Sequence, residues 1–295
     1  MTKYDKALER AGGRIPGSDV PFSVKVPEEA PPPETFDAPW NIVARPPAER
    51  VRREPAAGGP AARADEPPVL RVHPNLAEKV VGETGTPPAI TEQFRKVAGS
   101  LHQWQLDHAG KVVMVASAVA HEGKTLTALN LALTLSGPYQ RQVLLIDCDL
   151  RRPSLHDALQ MPNAPGVAEY AESAAPPVPR AVAPRLAFVP GGRTSDDPVG
   201  ALTSRGVAAL IEHGRANFDW VVIDTPPLVA VPDASLLNDL VDGVVLVLGA
   251  GKTRYDLATR AIAAVGRDRI LGVVLNTVEA RDMASVDYYE RYSER

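Results

Sequence analysis

Six residues, Val112–Ser117 (VVMVAS), run into Ala118–Thr125 (AVAHEGKT), and Leu126–Ser136 (LTALNLALTLS) follows directly. The first stretch has the unbroken apolar character of a buried strand. The last reads as a helix opening right after Lys124-Thr125. A strand, a Gly-Lys-Thr turn and a helix in that order constrain the fold more than any other feature of the chain. That order aims backbone N–H groups and the positive end of a helix at phosphates. In such a loop Lys124 supplies a point charge for the β/γ-phosphates. The Thr125 hydroxyl suits Mg2+, which prefers oxygen ligands. Ala118 stands where the usual motif opens with Gly. A chance Gly-Lys-Thr in a surface loop is the competing reading, and the flanking strand and helix argue against it.

Strand and helix patterns alternate from Pro88 onward. Candidate strands are Val112–Ser117, Gln142–Ile146, Leu186–Val189, Trp220–Ile223, Gly243–Leu248 and Leu271–Leu275. Ile90–Leu106 reads as a helix with Phe94, Val97, Leu101, Trp104 and Leu106 on one face. Arg205–Arg215 and Tyr255–Val265 are further helices, and Ala174–Pro184 reads as a surface loop. This order predicts an α/β fold: a mostly parallel sheet with helices on both faces.

Two strand patterns end in acid. Val143–Ile146 leads into Asp147-Cys148-Asp149, and Trp220–Ile223 leads into Asp224-Thr225-Pro226-Pro227. In a parallel sheet the ligand crevice lies beyond the carboxyl ends of the strands, the edge that also carries the phosphate loop. Carboxylates delivered there can hold Mg2+ directly or through water, and one can take a proton from an attacking hydroxyl. If the strand continues that far, alternation points Asp147 and Asp149 to the same side. Acidic turn residues without a ligand are the alternative reading.

The N-terminal part differs. Prolines crowd the first ninety residues, and few apolar residues there could build a core. Gly12–Val69 reads as an extended, disordered linker, with its Pro-rich character reaching residue 87. Tyr4, Ala7, Leu8 and Ala11 fall at helical spacing, so residues 1–12 form either a short amphipathic helix or a fraying end. The net charge of −4 gives no electrostatic case for nucleic acid as a partner. Cys148 is the only cysteine, so no disulfide forms within the chain, which fits a reducing compartment. Apolar runs such as Val244–Leu248 are far below the roughly 18–20 residues of a membrane span, and the N-terminus lacks a signal-peptide core. The expectation is a cytoplasmic protein that reaches the inner face of the membrane only through a partner.

Taken together, the motifs resemble the bacterial tyrosine kinases, the autokinases of capsular and exopolysaccharide assembly, whose domain is a MinD/ParA-like P-loop fold. The family loop SxxPGEGKS/T corresponds to Ser117–Thr125. The run followed by DxDxR corresponds to VLLIDCDLR, and the run followed by DxPP to VVIDTPP. Leu271–Asn276 (LGVVLN) also looks like the family, and Glu92-Gln93-Phe94-Arg95 resembles the start of an ExxRxxR segment linked to subunit contacts. The resemblance implies a domain over 88–280, with nucleotide contacts from Ala120, His121, Glu122, Gly123, Lys124, Thr125 and Leu126. It implies a metal held through Thr125, Asp149 and Asp224, catalysis by Lys124, Asp147 and Asp149, and Asp147 as the base for a tyrosine hydroxyl. Free phenol has a pKa near 10, so a base has work to do at neutral pH. Asn276 resembles a position that reads adenine, and a strand-end Asn capping the following turn is the other reading.

Such kinases phosphorylate a tyrosine-rich tail, and residues 281–295 carry Tyr288, Tyr289 and Tyr292. An extended chain from Asn276 to Tyr288 spans about 40 Å, so reach alone does not separate self from neighbour phosphorylation. The resemblance favours a neighbour in a homo-oligomer. It also implies ATP and Mg2+ as cofactors, a membrane chain-length-determinant (Wzz-like) partner docked by residues 1–12, and a cognate tyrosine phosphatase. Departures are Ala120-His121 for Pro-Gly, Ala98 for the second Arg of ExxRxxR, and Gly249 where many relatives have Arg. A positioning ATPase of the ParA/MinD kind is a rival, but it carries a signature lysine where Val119 stands in this chain. A catalytically weak, ATP-binding regulator is a second rival.

Overall fold

The computed structural model describes residues 70–278 except 173–177, 195 and 231, with only the backbone described at 232–234. The expected docking helix and most of the linker fall outside the described residues, as do Tyr288, Tyr289 and Tyr292. All described residues belong to one compact unit, Ala61–Arg295.

In chain order the elements are α1 Pro88–His108, β1 Val112–Ser117, α2 Lys124–Ser136, β2 Val143–Asp147, α3 Leu155–Ala158, α4 Val167–Glu172, β3 Arg180–Ala183, β4 Leu186–Val189, α5 Pro198–Leu202, α6 Arg205–Asn217, β5 Trp220–Asp224, β6 Gly243–Gly249, α7 Tyr255–Val265 and β7 Ile270–Asn276. Short 3-10 turns cover Pro74–Lys79, Pro232–Leu240 and Arg267–Arg269. The seven strands form one sheet in the order β3-β4-β2-β5-β1-β6-β7. Every pairing is parallel except β3 with β4.

The central strands are buried along their whole length, which is why they read as apolar runs without alternation. Their side chains divide into two cores. Val113, Val115, Val143, Leu145, Trp220 and Val222 face α2 and the buried Ala98 and Leu101 of α1. Met114, Leu144, Ile146, Val221, Ile223 and Leu246 face α6 and α7 through Val207, Leu210, Ile211, Ala261 and Val265. Helix α2 is buried from Thr127 to Ser136, because α1 and the preceding segment cover its outer face.

Three sequence expectations need correction. Residues 70–87 are no free linker: Val80 and Val81 are buried, and Asn130 clamps them. Its Oδ1 accepts from Val81 N at 2.7 Å and its Nδ2 donates to Lys79 O at 2.8 Å. The expected loop Ala174–Pro184 contains β3, whose pairing with β4 overrides its weak local pattern. Leu106 lies off the apolar face of α1, 66% exposed. Small boundary shifts matter more for function. β2 and β5 each run one residue further than expected, so Asp147 and Asp224 are paired strand residues. Asp149 lies beyond β2, so strand alternation does not set its direction.

Candidate active site

Five parallel strands deliver their carboxyl ends to one edge of the sheet: Ser117, Asp147, Asp224, Gly249 and Asn276. The loop after β1 is fixed there by its own side chains and by its neighbours. Ser117 Oγ donates to Val119 O at 2.8 Å, and Val119 N donates to Glu122 Oε2 at 2.8 Å. The chain after β5 adds Leu228 N to Ser117 O at 2.8 Å and Val229 N to Ala118 O at 3.1 Å. Helix α2 starts at Lys124, two residues earlier than its apolar pattern, with Gly123 as N-cap at φ 89°. A side chain at Gly123 would be strained at that φ, and its Cβ would collide with Asn276 Nδ2. His121 also takes a left-handed conformation, φ 66°, where the family loop has Gly.

Lys124 follows at the helix start. Its Nζ lies 2.9 Å from Asp149 Oδ2, 3.5 Å from Asp224 Oδ1 and 3.1 Å from Thr125 Oγ1. Thr125 also favours the charged form of Asp224. Burial alone would discharge Lys124, but the charges of Asp224 and Asp149 outweigh it and raise its pKa. Asp224 is fully buried. Desolvation raises its pKa against the pull of Lys124 and Thr125, and its Oδ2 has no hydrogen-bond partner.

Asp147 is the most constrained of the acids. It has no exposed surface. Its Oδ1 accepts from Asp149 N at 3.1 Å, and its Oδ2 accepts from Ser154 N at 3.0 Å and Leu155 N at 3.1 Å. The last two are orphan donors at the start of α3, so Asp147 caps that helix from the end of the preceding strand. Desolvation and the nearby Asp224 push its pKa up to about 7, against the three backbone bonds. The proton is therefore bound more tightly in the fold than in the unfolded chain. Any stability this group contributes is present below the ordinary carboxylate range and is lost as pH rises through about 7.

The structure thus brings together Lys124, Thr125, Asp147, Asp149 and Asp224, with Ala120, His121, Glu122, Gly123 and Leu126 in the loop and first turn beside them. Asn276 also reaches this edge and is bonded to the loop: its Nδ2 donates to Glu122 O at 2.8 Å, and its backbone O accepts from Ala250 N at 2.8 Å. Sequence reasoning missed the role of the Glu122 side chain. It is buried, and its Oε1 accepts from Gly249 N at 3.2 Å and from the Thr253 hydroxyl. A carboxylate inside a phosphate loop was itself a signal, since it must be turned away from any phosphate. The Glu92–Arg95 pair, 3.3 Å apart, is exposed on α1, while Ala98 is buried in the core and contributes packing only.

These residues fit a magnesium–nucleotide. The oxygens of Thr125, Asp149 and Asp224 are hard donors, and the unpartnered Oδ2 of Asp224 is a free acceptor in a buried place. Among the described residues no three acidic, His or Cys side chains converge to hold a metal by themselves. Mg2+ commonly takes one or two carboxylates and draws the rest from phosphates and water.

Fold and loop define a P-loop nucleotide-binding protein, and residues 113–294 match the family described as the CobQ/CobB/MinD/ParA nucleotide binding domain. Among similar proteins, the tyrosine-protein kinase YwqD of Bacillus subtilis (strain 168) is 31% identical over 219 residues, 72% of this chain and 92% of that protein. The tyrosine-protein kinase wzc of Salmonella typhi is 30% identical over 208 residues, 67% of this chain but only 28% of that longer protein. Among solved structures, the chimerical protein CapA2B2 aligns at a TM-score of 0.63 and 25% identity, covering 72% of this chain and 93% of the other. The VpsO kinase domain aligns at 0.55 and 31% identity, covering 65% and 98%. The chain belongs to the bacterial tyrosine-protein kinases, a transferase branch of that nucleotide-binding family.

Proposed function

We propose that this domain transfers the γ-phosphoryl group of ATP to tyrosine hydroxyls, Tyr288, Tyr289 and Tyr292 of its own tail among them. The observation that carries the reading is the position of Lys124, held between Asp149 and Asp224 with Thr125 alongside. The ammonium is shared between the two carboxylates. A triphosphate in the loop competes for that ammonium and leaves oxygen ligands behind it. Bound Mg2+ would neutralise charge on the phosphates, held through Thr125, Asp149 and Asp224. Backbone of 120–126 orients the triphosphate, and α2 adds its positive end.

In the transfer the phenolic oxygen bonds to the γ-phosphorus, the bond to the ADP oxygen breaks, and the phenolic proton passes to Asp147. A carboxylate with a pKa of about 7 accepts a proton from a phenol near 10 far better than an ordinary aspartate does. Because Asp147 is buried beneath Ser154 and Leu155, this role requires the 148–154 turn to shift when an acceptor arrives. Asn276 is bonded to the loop backbone, and the family resemblance supports a contact from it to adenine.

The biological setting we infer is capsular or exopolysaccharide biosynthesis and export. ExoP of Rhizobium meliloti, named a succinoglycan biosynthesis transport protein, is 31% identical over 217 residues, 28% of its own length. Among the described residues no helix is long and apolar enough to cross a membrane. The family resemblance supports recruitment of this kinase to the inner face of the membrane by a Wzz-like chain-length protein. A homo-oligomer would present tails to neighbouring sites, and a cognate phosphatase would reset them. Transfer of label from γ-labelled ATP tests the chemistry. The wild type is expected to label, and both Lys124→Met and the triple change of Tyr288, Tyr289 and Tyr292 to Phe are expected to abolish labelling. Full labelling of either variant would overturn the roles of Lys124 and of the tail tyrosines.

A further inference from the structure

Thr253 lies in the exposed turn between β6 and α7, outside every motif that marks the site. The turn is closed on itself by Lys252 N and Thr253 N, which donate to Gly249 O at 3.1 and 2.9 Å. The Thr253 side chain points back into the fold. Its hydroxyl accepts from Gly249 N at 2.8 Å and donates to Glu122 Oε1. The same Glu122 oxygen accepts from Gly249 N, while Oε2 accepts from Val119 N. One carboxylate thus joins both ends of the phosphate loop to the end of β6, and Thr253 supplies the only hydroxyl in that joint.

We propose that Thr253 is a positioning residue for the nucleotide, acting through Glu122. The physical need is plain. A carboxylate three residues from Thr125 would repel a triphosphate if it turned into the loop. Two backbone N–H groups and one hydroxyl give it a reason to stay turned away, since a buried carboxylate is stable only where it is hydrogen-bonded. Removing the hydroxyl leaves Glu122 under-bonded, so the carboxylate no longer has its full reason to stay turned away from the loop. The inference rests on the nucleotide reading above and adds a residue that none of the loop motifs contains.

The test compares wild type, Thr253→Val and Thr253→Ser in the full chain. Nucleotide affinity is read by calorimetry with Mg-ATP, and amide hydrogen exchange at Val119 and Gly249 is read without nucleotide. Valine keeps the shape and loses the hydroxyl, so ATP affinity should fall about tenfold, as for loss of a bond to a charged group. Exchange at both amides should rise before any ligand is added. Serine keeps the hydroxyl and should restore both readouts. In a Glu122→Ala background the valine change should have little further effect, because its action runs through that carboxylate. Unchanged exchange and affinity in Thr253→Val, with wild type binding ATP, would refute the positioning role and leave the kinase reading intact. Absence of ATP binding by the wild type would overturn both. Equal loss in the serine variant would also refute the proposal, since only the hydroxyl is claimed to matter.

Discussion

Lys124 and His121 show how single residues divide between ligand and loop. Lys124 is paired with Asp149 and Asp224 in the protein as it stands. Breaking that arrangement by Lys124→Met leaves buried acids facing one another without their cation, so the variant is expected to lose local electrostatic balance. His121 carries a different cost. At φ 66° a residue with a Cβ is strained by about 1 kcal/mol or slightly more. Glycine is normally the worse residue in regular structure, but at this position the order should invert. His121→Gly should be more stable than His121→Ala by about 1 kcal/mol in urea unfolding. Equal stabilities, or a more stable alanine variant, would contradict the left-handed assignment. Cys148, by contrast, has no chemistry to offer: it is buried, and desolvation and the surrounding acids push its thiol well above its ordinary range.

At the scale of elements, legibility follows distance along the chain. The strand, loop and helix around Lys124 could be read from sequence because their signals are local, and so could the acids at the ends of β2 and β5. The joint between Glu122 and Thr253 spans 131 residues and leaves no local trace. The clamp of Asn130 on Lys79 and Val81 was hidden by the Pro-rich composition around it. The tie that sets β1 beside β6 is hidden by its sequence separation of 130 residues or more. Asp242 Oδ2 accepts from Lys111 N at 2.7 Å and Val112 N at 2.9 Å, and its two oxygens take Arg215 of α6 at 2.8 and 2.7 Å. Burial works against the Asp242 charge, but Arg215 and the two backbone donors prevail and lower its pKa. Its stabilising effect is therefore present above the ordinary carboxylate range and lost as pH falls through the lowered value. Asp242→Asn should cost on the order of 2 kcal/mol near neutral pH. The gap to wild type should close on acidification, measured as denaturation midpoints against pH. A gap that widened in acid would show that another group holds this corner.

For the whole molecule, the parallel sheet explains why the site exists at all. Five carboxyl ends at one edge bring residues from positions 117 to 276 to the same loop, although only the first of them touches it in sequence. The two cores back that edge, and α2 is buried from Thr127 to Ser136. Phosphate-loop chemistry could be inferred from sequence for this reason. The proposed acceptor tyrosines, in contrast, belong to residues 281–295, outside the described residues, and their role rests on the family resemblance and on composition. The decisive measurement joins the two. Purified protein incubated with Mg-ATP should carry phosphotyrosine at Tyr288, Tyr289 or Tyr292 when mapped by mass spectrometry, and the Lys124→Met protein should carry none. Phosphotyrosine absent from the wild type, or the same map in both proteins, would contradict the account.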